Sequence, residues 1–376
     1  MSYSGQDTDV CIVGGGPGGL AAAIAARQKG FSVIVADGSA PPIDKSCGEG
    51  MMPETLAALE SLGAKFEPGE GQNFRGISFI QESAHVSADF SREQGIGLRR
   101  PVLQERLVER AEECGVQLLW NSPVTGIVGG VDAGSVRLAK RTIRARWIVG
   151  ADGQGSRVRR WSGLNSLARV RQRYASRRHY RIKPWSSYME IHWAGNAQAY
   201  VTPIGKQEVC VVVMAQAPGE NLFESALREM PWLEGKLSGA QLGSRERGAV
   251  SSMRTLQHVQ KQNVALLGDA SGGVDAITGE GLRLAFQQAI ALADAMAAND
   301  LTQYQRAHRK LAHRPRLMSH LMLWLGRNPR IRSRVIRVMQ ENPQLLSRLL
   351  ATHTGEKSPS QLVSAGARLG LRLLAG

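Results

Sequence analysis

Apolar and polar positions alternate in two distinct rhythms along the chain. Residues 9–13 (DVCIV) form a short apolar run that predicts a buried strand. A glycine turn follows, then the helical stretch LAAAIAARQKG, which Gly30 ends as a left-handed cap. A second strand, FSVIVAD, closes at Asp37, giving a strand, helix, strand unit. From Pro101, VLQERLVERAEECG reads as an amphipathic helix. VQLLW, residues 124–128 and WIVGADG return to strand character, the last running into a turn. Between about residues 169 and 250 the rhythm changes: SYMEIHW, AQAYVTPI and EVCVVVMA predict antiparallel strands, half buried on one face. NVALLGDA brings back the buried parallel type, and a helix is expected over about residues 280–298. Beyond Leu301, short Leu/Arg-rich helices are punctuated at Pro329, at Pro343 and over residues 355–359.

The fold class is therefore α/β, with a discontinuous first domain over 1–75, 98–168 and 255–300. A mostly antiparallel sheet domain is expected over 76–97 and 169–254, and a helical basic region over 301–376. No run approaches the roughly 20 apolar residues of a spanning helix, and the first residues carry no readable secretion signal. A cytoplasmic location is the expectation. Cys11, Cys47, Cys114 and Cys210 are scattered, with no Cys-x-x-Cys pair, so neither a zinc site nor a disulfide framework is suggested. The net charge of +15 is concentrated at one end, since 14 Lys and Arg face 2 acidic residues from Leu301 onward.

Three segments carry candidate chemistry. Gly14, Gly16 and Gly19 stand as Gly-x-Gly-x-x-Gly between the first strand and its helix. The first glycine makes the tight turn, the second admits a pyrophosphate against the backbone, and the third lets helix pack on strand. Backbone N–H groups at the helix start hold the anion, and Asp37 is placed to accept from ribose hydroxyls. The second segment is Gly150-Ala-Asp152-Gly153-Gln-Gly-Ser156-Arg157-Val-Arg159. The third runs Gly268-Asp269-Ala270-Ser-Gly-Gly-Val-Asp275-Ala-Ile-Thr278-Gly279-Glu280-Gly281-Leu282. Its first carboxylate suits ribityl hydroxyls, and the Gly279–Gly281 backbone opens a helix whose positive end favours a reduced, anionic flavin ring.

Together these segments resemble the FAD-dependent aromatic hydroxylases and their relatives, over about the first 300 residues. The resemblance implies a Rossmann-type FAD domain of the glutathione-reductase kind. It places Asp152 and Gly153 near the FAD pyrophosphate and the NADPH path, Asp269 on the ribityl or pyrophosphate region, and Gly279, Glu280 and Gly281 beside the isoalloxazine. Arg100, in Arg-x-x-Leu before a helix, matches a position that touches FAD; otherwise it is a surface arginine. Ser271 and Ala276 stand where the phenol-hydroxylase branch usually carries His and Pro. The Lys45-Ser-Cys47-Gly48-Glu49-Gly50 turn is similar to that of the geranylgeranyl-reductase branch. Cys47 is thus a flavin neighbour or a small packing residue.

Only one glycine triplet is present, so NAD(P)H is expected to visit the flavin transiently. The resulting expectation is an FAD-dependent monooxygenase hydroxylating a lipophilic, phenolic or polyketide-derived compound with NAD(P)H and oxygen. Alternatives are a geranylgeranyl-reductase-like enzyme saturating isoprenoid double bonds, and a non-catalytic flavin or lipid carrier. No catalytic residue is singled out. Cys47, Tyr188, His192, Tyr200 and Pro203 are substrate-side candidates, and His179 is a further polar group on a strand, each more simply explained as structural. No nucleic-acid signature accompanies the charge. The 301–376 helices either touch an anionic membrane or pack leucines on the flavin domain with arginines as a solvated rim.

Overall fold

In a computed structural model, the protein is described over residues 6–91, 93–165, 171–195 and 197–353. The punctuation expected over 355–359 lies outside these residues. Two large sheets organise the chain. The first carries five parallel strands in the order Val264–Leu266, Thr142–Gly150, Thr8–Val13, Val33–Ala36, Gln117–Leu119. Antiparallel strands Gly134–Leu138 and Val124–Val128 extend from Thr142–Gly150. Helix Pro17–Gln28 starts on a proline, whose missing N–H is no loss at a helix start. It ends where Gly30 adopts φ +85. Its alanines let it lie close between the sheet and helix Gly281–Ala297, with Gly18 against Leu267 and Ala285.

The second sheet runs Arg171–Arg181, Glu208–Ala215, Ala197–Gly205, Met189–Trp193, Gly76–Gln81, Ala84–Asp89. It is antiparallel except where Met189–Trp193 lies parallel to Gly76–Gln81. The expectation of strands half buried on one face is corrected here, because every residue from Ala197 to Ile204 is buried. Helices Leu222–Arg228 and Pro231–Leu237, which the periodicity did not reveal, cover the far face through Phe223, Leu227 and Leu233.

The region after Leu301 is one 27-residue helix, Leu301–Arg327, that continues through Pro315, followed by Pro329–Glu341 and Pro343–His353. The breaks fall at Pro329 and Pro343 as expected, and only the first helix is longer than the short ones expected. Leu301 and Tyr304 of the long helix join the core of the parallel sheet, while its Met322 and Leu325 pack against that of the second. Val335, Ile336, Met339, Leu346 and Leu350 share a core with Ile77, Val86, Met189, Ile191 and Trp193. Arg332 is not on a solvated rim. It is buried, donates to Gln81 Oε1 at 2.8 Å and to the Ala194 carbonyl at 3.2 Å, and lies 5.1 Å from the centre of the Trp193 ring. Arg332→Ala should therefore destabilise the protein by about 2–4 kcal/mol through lost packing and unpaired acceptors. The exposed Arg330→Ala should stay within about 0.5 kcal/mol. Urea unfolding of both variants measures the contrast, and equal midpoints would mean that Arg332 does not pin the helix.

Candidate FAD-binding and substrate site

Register brings the three motif segments together. Leu266, Gly150, Val13, Ala36 and Leu119 are successive cross-strand partners, so the carboxyl ends of five parallel strands finish in one row. Ligands in open parallel sheets bind beyond such a row. Here a cavity of about 550 Å³ opens there. Gly14, Gly16, Asp37, Cys47, Arg100, Asp152, Gly153, Asp269, Gly279 and Gly281 all line it.

The glycines divide by role. Gly14 adopts φ +113, and a Cβ there would sit 2.4 Å from the Ala151 carbonyl oxygen. A Cβ on Gly19 would meet the Gly14 carbonyl at 1.9 Å, so Gly19 serves close packing and does not line the cavity. At Gly16, Gly48, Gly153 and Gly281 an added Cβ would meet no protein atom within 4 Å. Side chains there would project into space that the cavity keeps free. Such a bare-backbone cradle fits a dinucleotide whose phosphates need close approach to N–H groups.

The acids take different tasks. Asp37 accepts from the N–H groups of Gly15 at 2.7 Å and Ser39 at 2.8 Å, which shapes the glycine turn itself. Asp152 accepts from the Ser156 hydroxyl and from the N–H of Arg157 and Val158, so its carboxylate caps the following short helix while facing the cavity. Asp269 is solvent-exposed and lines the cavity, with the surrounding protein packed densely about it. Desolvation raises its carboxyl above the ordinary range, while Arg100 and Lys45 pull the other way. Arg100 leaves its Nε buried without a partner among the described residues, unlike a surface arginine. Glu280 is buried and bonded to Arg283, and it does not line the cavity.

Several residues to which the motifs assigned no role hold the site together. Gln104 accepts from Ile43 N–H at 2.5 Å and donates to the Gly15 carbonyl at 3.1 Å. Arg159, the last residue of the second segment, donates to the carbonyls of Ala270 at 3.0 Å and Gln154 at 2.8 Å, joining the second and third segments. Glu49 is buried with φ +58. It accepts from Arg100 N–H at 3.0 Å and Arg177 at 3.1 Å and meets His179 Nε2 at 2.7 Å. Arg177 also grips Asp44 through two bonds of 2.8 Å. Burial alone would raise the Asp44 carboxyl, but Arg177 and then Arg247 outweigh it and hold it low. The charge on Arg177 could have signalled this cluster only once its strand was known to be buried.

The second sheet supplies Met189, Tyr200, Thr202, Val212 and Met214 to the cavity wall. Strand side chains alternate between faces, which corrects the substrate-side candidates. With Met189 facing the cavity, His192 falls on the other face, bonded to Glu190 at 2.9 Å and stacked on Trp232. Tyr188 donates to Asp89 at 2.7 Å outside the cavity, and Pro203 packs its carbonyl against Gly97. His179 is wholly buried against Glu49 and Ser244. Cys47 and Tyr200 do line the cavity, and the Tyr200 hydroxyl is buried with no partner among the described residues. Glu49, His179 and Cys210 lie close enough to suggest a metal cluster. Arg177 already supplies the cation there, and burial pushes the Cys210 thiol well up, which keeps it protonated.

A second, apolar cavity of about 100 Å³ adjoins the first. Its walls are Ile77, Phe79, Ile191, Trp193, Ile277 and residues of the three C-terminal helices. Met189 lines both cavities, and Ile277–Thr278 line this one while their neighbours Ala276 and Gly279 line the other.

Two expectations follow from these contacts. Asp269→Ala should weaken FAD binding tenfold or more, the loss of a charge-assisted bond costing roughly 1.5–3 kcal/mol. Asp275→Ala should act differently. Asp275 pairs with buried Arg173 at 3.1 Å and caps Ile277 N–H at 3.0 Å, so its loss should destabilise the fold by about 3–5 kcal/mol. FAD titration and thermal unfolding separate the two, and matching profiles would contradict the assignment. The second concerns His308, buried and bonded to Ser271 at 2.9 Å, where burial lowers the ring from 6.5 to about 3. The folded protein refuses a proton that the unfolded chain accepts below pH 6.5, so stability falls as pH drops from 6.5 towards 3. His308→Gln should make that decline shallower in acid denaturation, and an unchanged slope would show that His308 is not responsible.

Comparison with known proteins agrees with this geometry. The family model described as FAD binding domain matches residues 7–305. Menaquinone reductase of Mycobacterium tuberculosis is 27% identical over 321 residues, covering 79% of this chain and 78% of the relative. Digeranylgeranylglycerophospholipid reductase of Thermoplasma acidophilum is 26% identical over 347 residues, covering 85% and 86%. A flavin-dependent brominase superposes with a TM-score of 0.75 at 18% identity over 97% of this chain and 99% of its own, a likeness of fold. With four fifths of its length in that match, the chain belongs to the FAD-binding domain family of flavoprotein oxidoreductases.

Proposed function

We propose that the protein is a flavin-dependent reductase that saturates a carbon–carbon double bond in a long, apolar, isoprenoid-type substrate. The observation that carries this reading is the apolar cavity abutting the Ala276–Gly279 side of the larger cavity, with Met189 as the shared wall. Apart from Thr278 and Arg332 its lining is hydrophobic, and Arg332 is committed to Gln81 and to main-chain carbonyls. A chain without polar groups needs only shape and desolvation to be held there. The relatives whose names specify reduction of lipid-type molecules support the same reading.

Bound FAD supplies the two-electron chemistry. The bare backbone at Gly16, Gly48, Gly153 and Gly281 would admit it, and Asp269 and Arg100 on the cavity wall would help hold it. Helix Gly281–Ala297 starts at the cavity wall with Gly281 and Leu282, and its positive dipole would favour a reduced, anionic ring bound beside it. The second sheet and the C-terminal helices keep water from the apolar chain. Over the whole reaction NAD(P)H gives up a hydride and solvent gives up a proton. Both end on the carbons of the former double bond, and NAD(P)⁺ leaves.

One observation favours the monooxygenase as a second reading. The unpartnered Tyr200 hydroxyl lies in the wall between sheet and cofactor, where a phenolic or carbonyl oxygen would satisfy it.

Turnover with an unsaturated polyprenyl alcohol under argon distinguishes the two. The reductase yields a product carrying two added hydrogens without oxygen. A product bearing one oxygen atom, formed only in air, would replace the first reading with the second. Met322→Trp, which fills the apolar cavity, should raise KM for the polyprenyl substrate by roughly tenfold while FAD content is kept, the insertion costing about 1–3 kcal/mol. Unchanged KM would place the chain elsewhere.

A further inference from the structure

Helix Leu301–Arg327 turns one continuous face away from the protein. Arg306, Lys310, His313, Leu317, Leu321 and Trp324 follow one another at steps of three or four residues, and all are exposed. Residues at that spacing share a helix face. The face is basic in its first half and apolar in its second, where Leu317 is 58%, Leu321 42% and Trp324 48% exposed. Exposed Arg327 and Arg330 follow at the turn into the next helix. No acidic residue occurs between Leu301 and Gln340.

We propose that this face docks on an anionic lipid bilayer and brings the mouth of the apolar cavity to the lipid. Three observations select that occupant. Large apolar side chains, including a tryptophan, lie beside cationic ones on one face, the pattern of helices that lie in a membrane interface. The uninterrupted positive charge matches an anionic surface. A symmetric second copy would press two strongly basic helices together, each with only the capping Asp300, already 3.9 Å from Arg306, to offset the charge. Leu321 also lines the apolar cavity, as do Met318, Met322 and Leu325 of the same helix, so a wall of that cavity reaches the proposed contact plane. Docking itself is independent of the chemistry. Only the delivery of substrate through that mouth rests on the proposed reductase function.

The test uses the full-length, FAD-loaded protein with phosphatidylcholine vesicles, alone or mixed with phosphatidylglycerol. Sedimentation with the mixed vesicles and not with the neutral ones is expected. Binding should weaken as salt rises, because screening shortens the reach of the exposed charges. Leu317→Ser/Leu321→Ser/Trp324→Ser should weaken binding at least tenfold with FAD content unchanged. Arg306→Ala/Lys310→Ala should weaken it roughly 25-fold, each cation near the surface contributing about fivefold. If the triple variant loses FAD, the charge variant decides. Absence of binding, equal binding to neutral vesicles, or full binding by the variants would overturn the proposal. So would gel filtration showing a dimer that the triple variant splits while vesicles capture neither form.

Discussion

The alignment of strand ends in the parallel sheet is the constraint on which the site depends. Val13, Ala36, Leu119, Gly150 and Leu266 are cross-strand partners, so segments more than a hundred residues apart emerge side by side. Because strand side chains alternate with period two, slipping one strand by a residue would move its turn and exchange the side chains packed on its two faces. The close approach of Gly14 to Ala151 and the bond from Arg159 to the Ala270 carbonyl lock the turns that follow the strands. The cofactor cradle is thus a consequence of sheet pairing, finished by a few side chains.

A buried charge cluster then joins the second sheet to that cradle. Arg177 comes from a strand of the second sheet, while Asp44 and Glu49 come from the loop lining the cavity. Charges removed from water are tolerable only when paired and hydrogen-bonded, so the cluster admits little displacement of sheet against loop. It also holds Glu49 in its left-handed backbone conformation, and with it the approach to the start of helix Arg100–Glu113.

Much of this was legible in the chain. Short apolar runs followed by Gly-x-Gly or Asp-Gly turns mark parallel strands because such strands are covered on both faces and their turns must be tight. The three cofactor segments could be located for that reason, and FAD binding followed from their resemblance. What the sequence concealed depended on parity and on distant coverage. Whether His192 or Met189 faces the cavity is a matter of one residue in register. The burial of Arg177 and Arg332 becomes visible only when the opposing loop or sheet is present. Asp37 and Asp152 carried the expected residue types, yet both are largely occupied in building their own turns.

Met189 separates the two cavities, and it is an unbranched side chain with several rotatable bonds rather than a fixed aromatic or β-branched wall. Such a side chain can change rotamer at little energetic cost and fill spaces of different outline. The cross-section available at the junction is therefore adjustable, while the strand that carries Met189 stays fixed by its neighbours on both sides. Chains with methyl branches at different positions would meet a compliant boundary there, and discrimination among them would fall to the more rigid residues farther along the cavity.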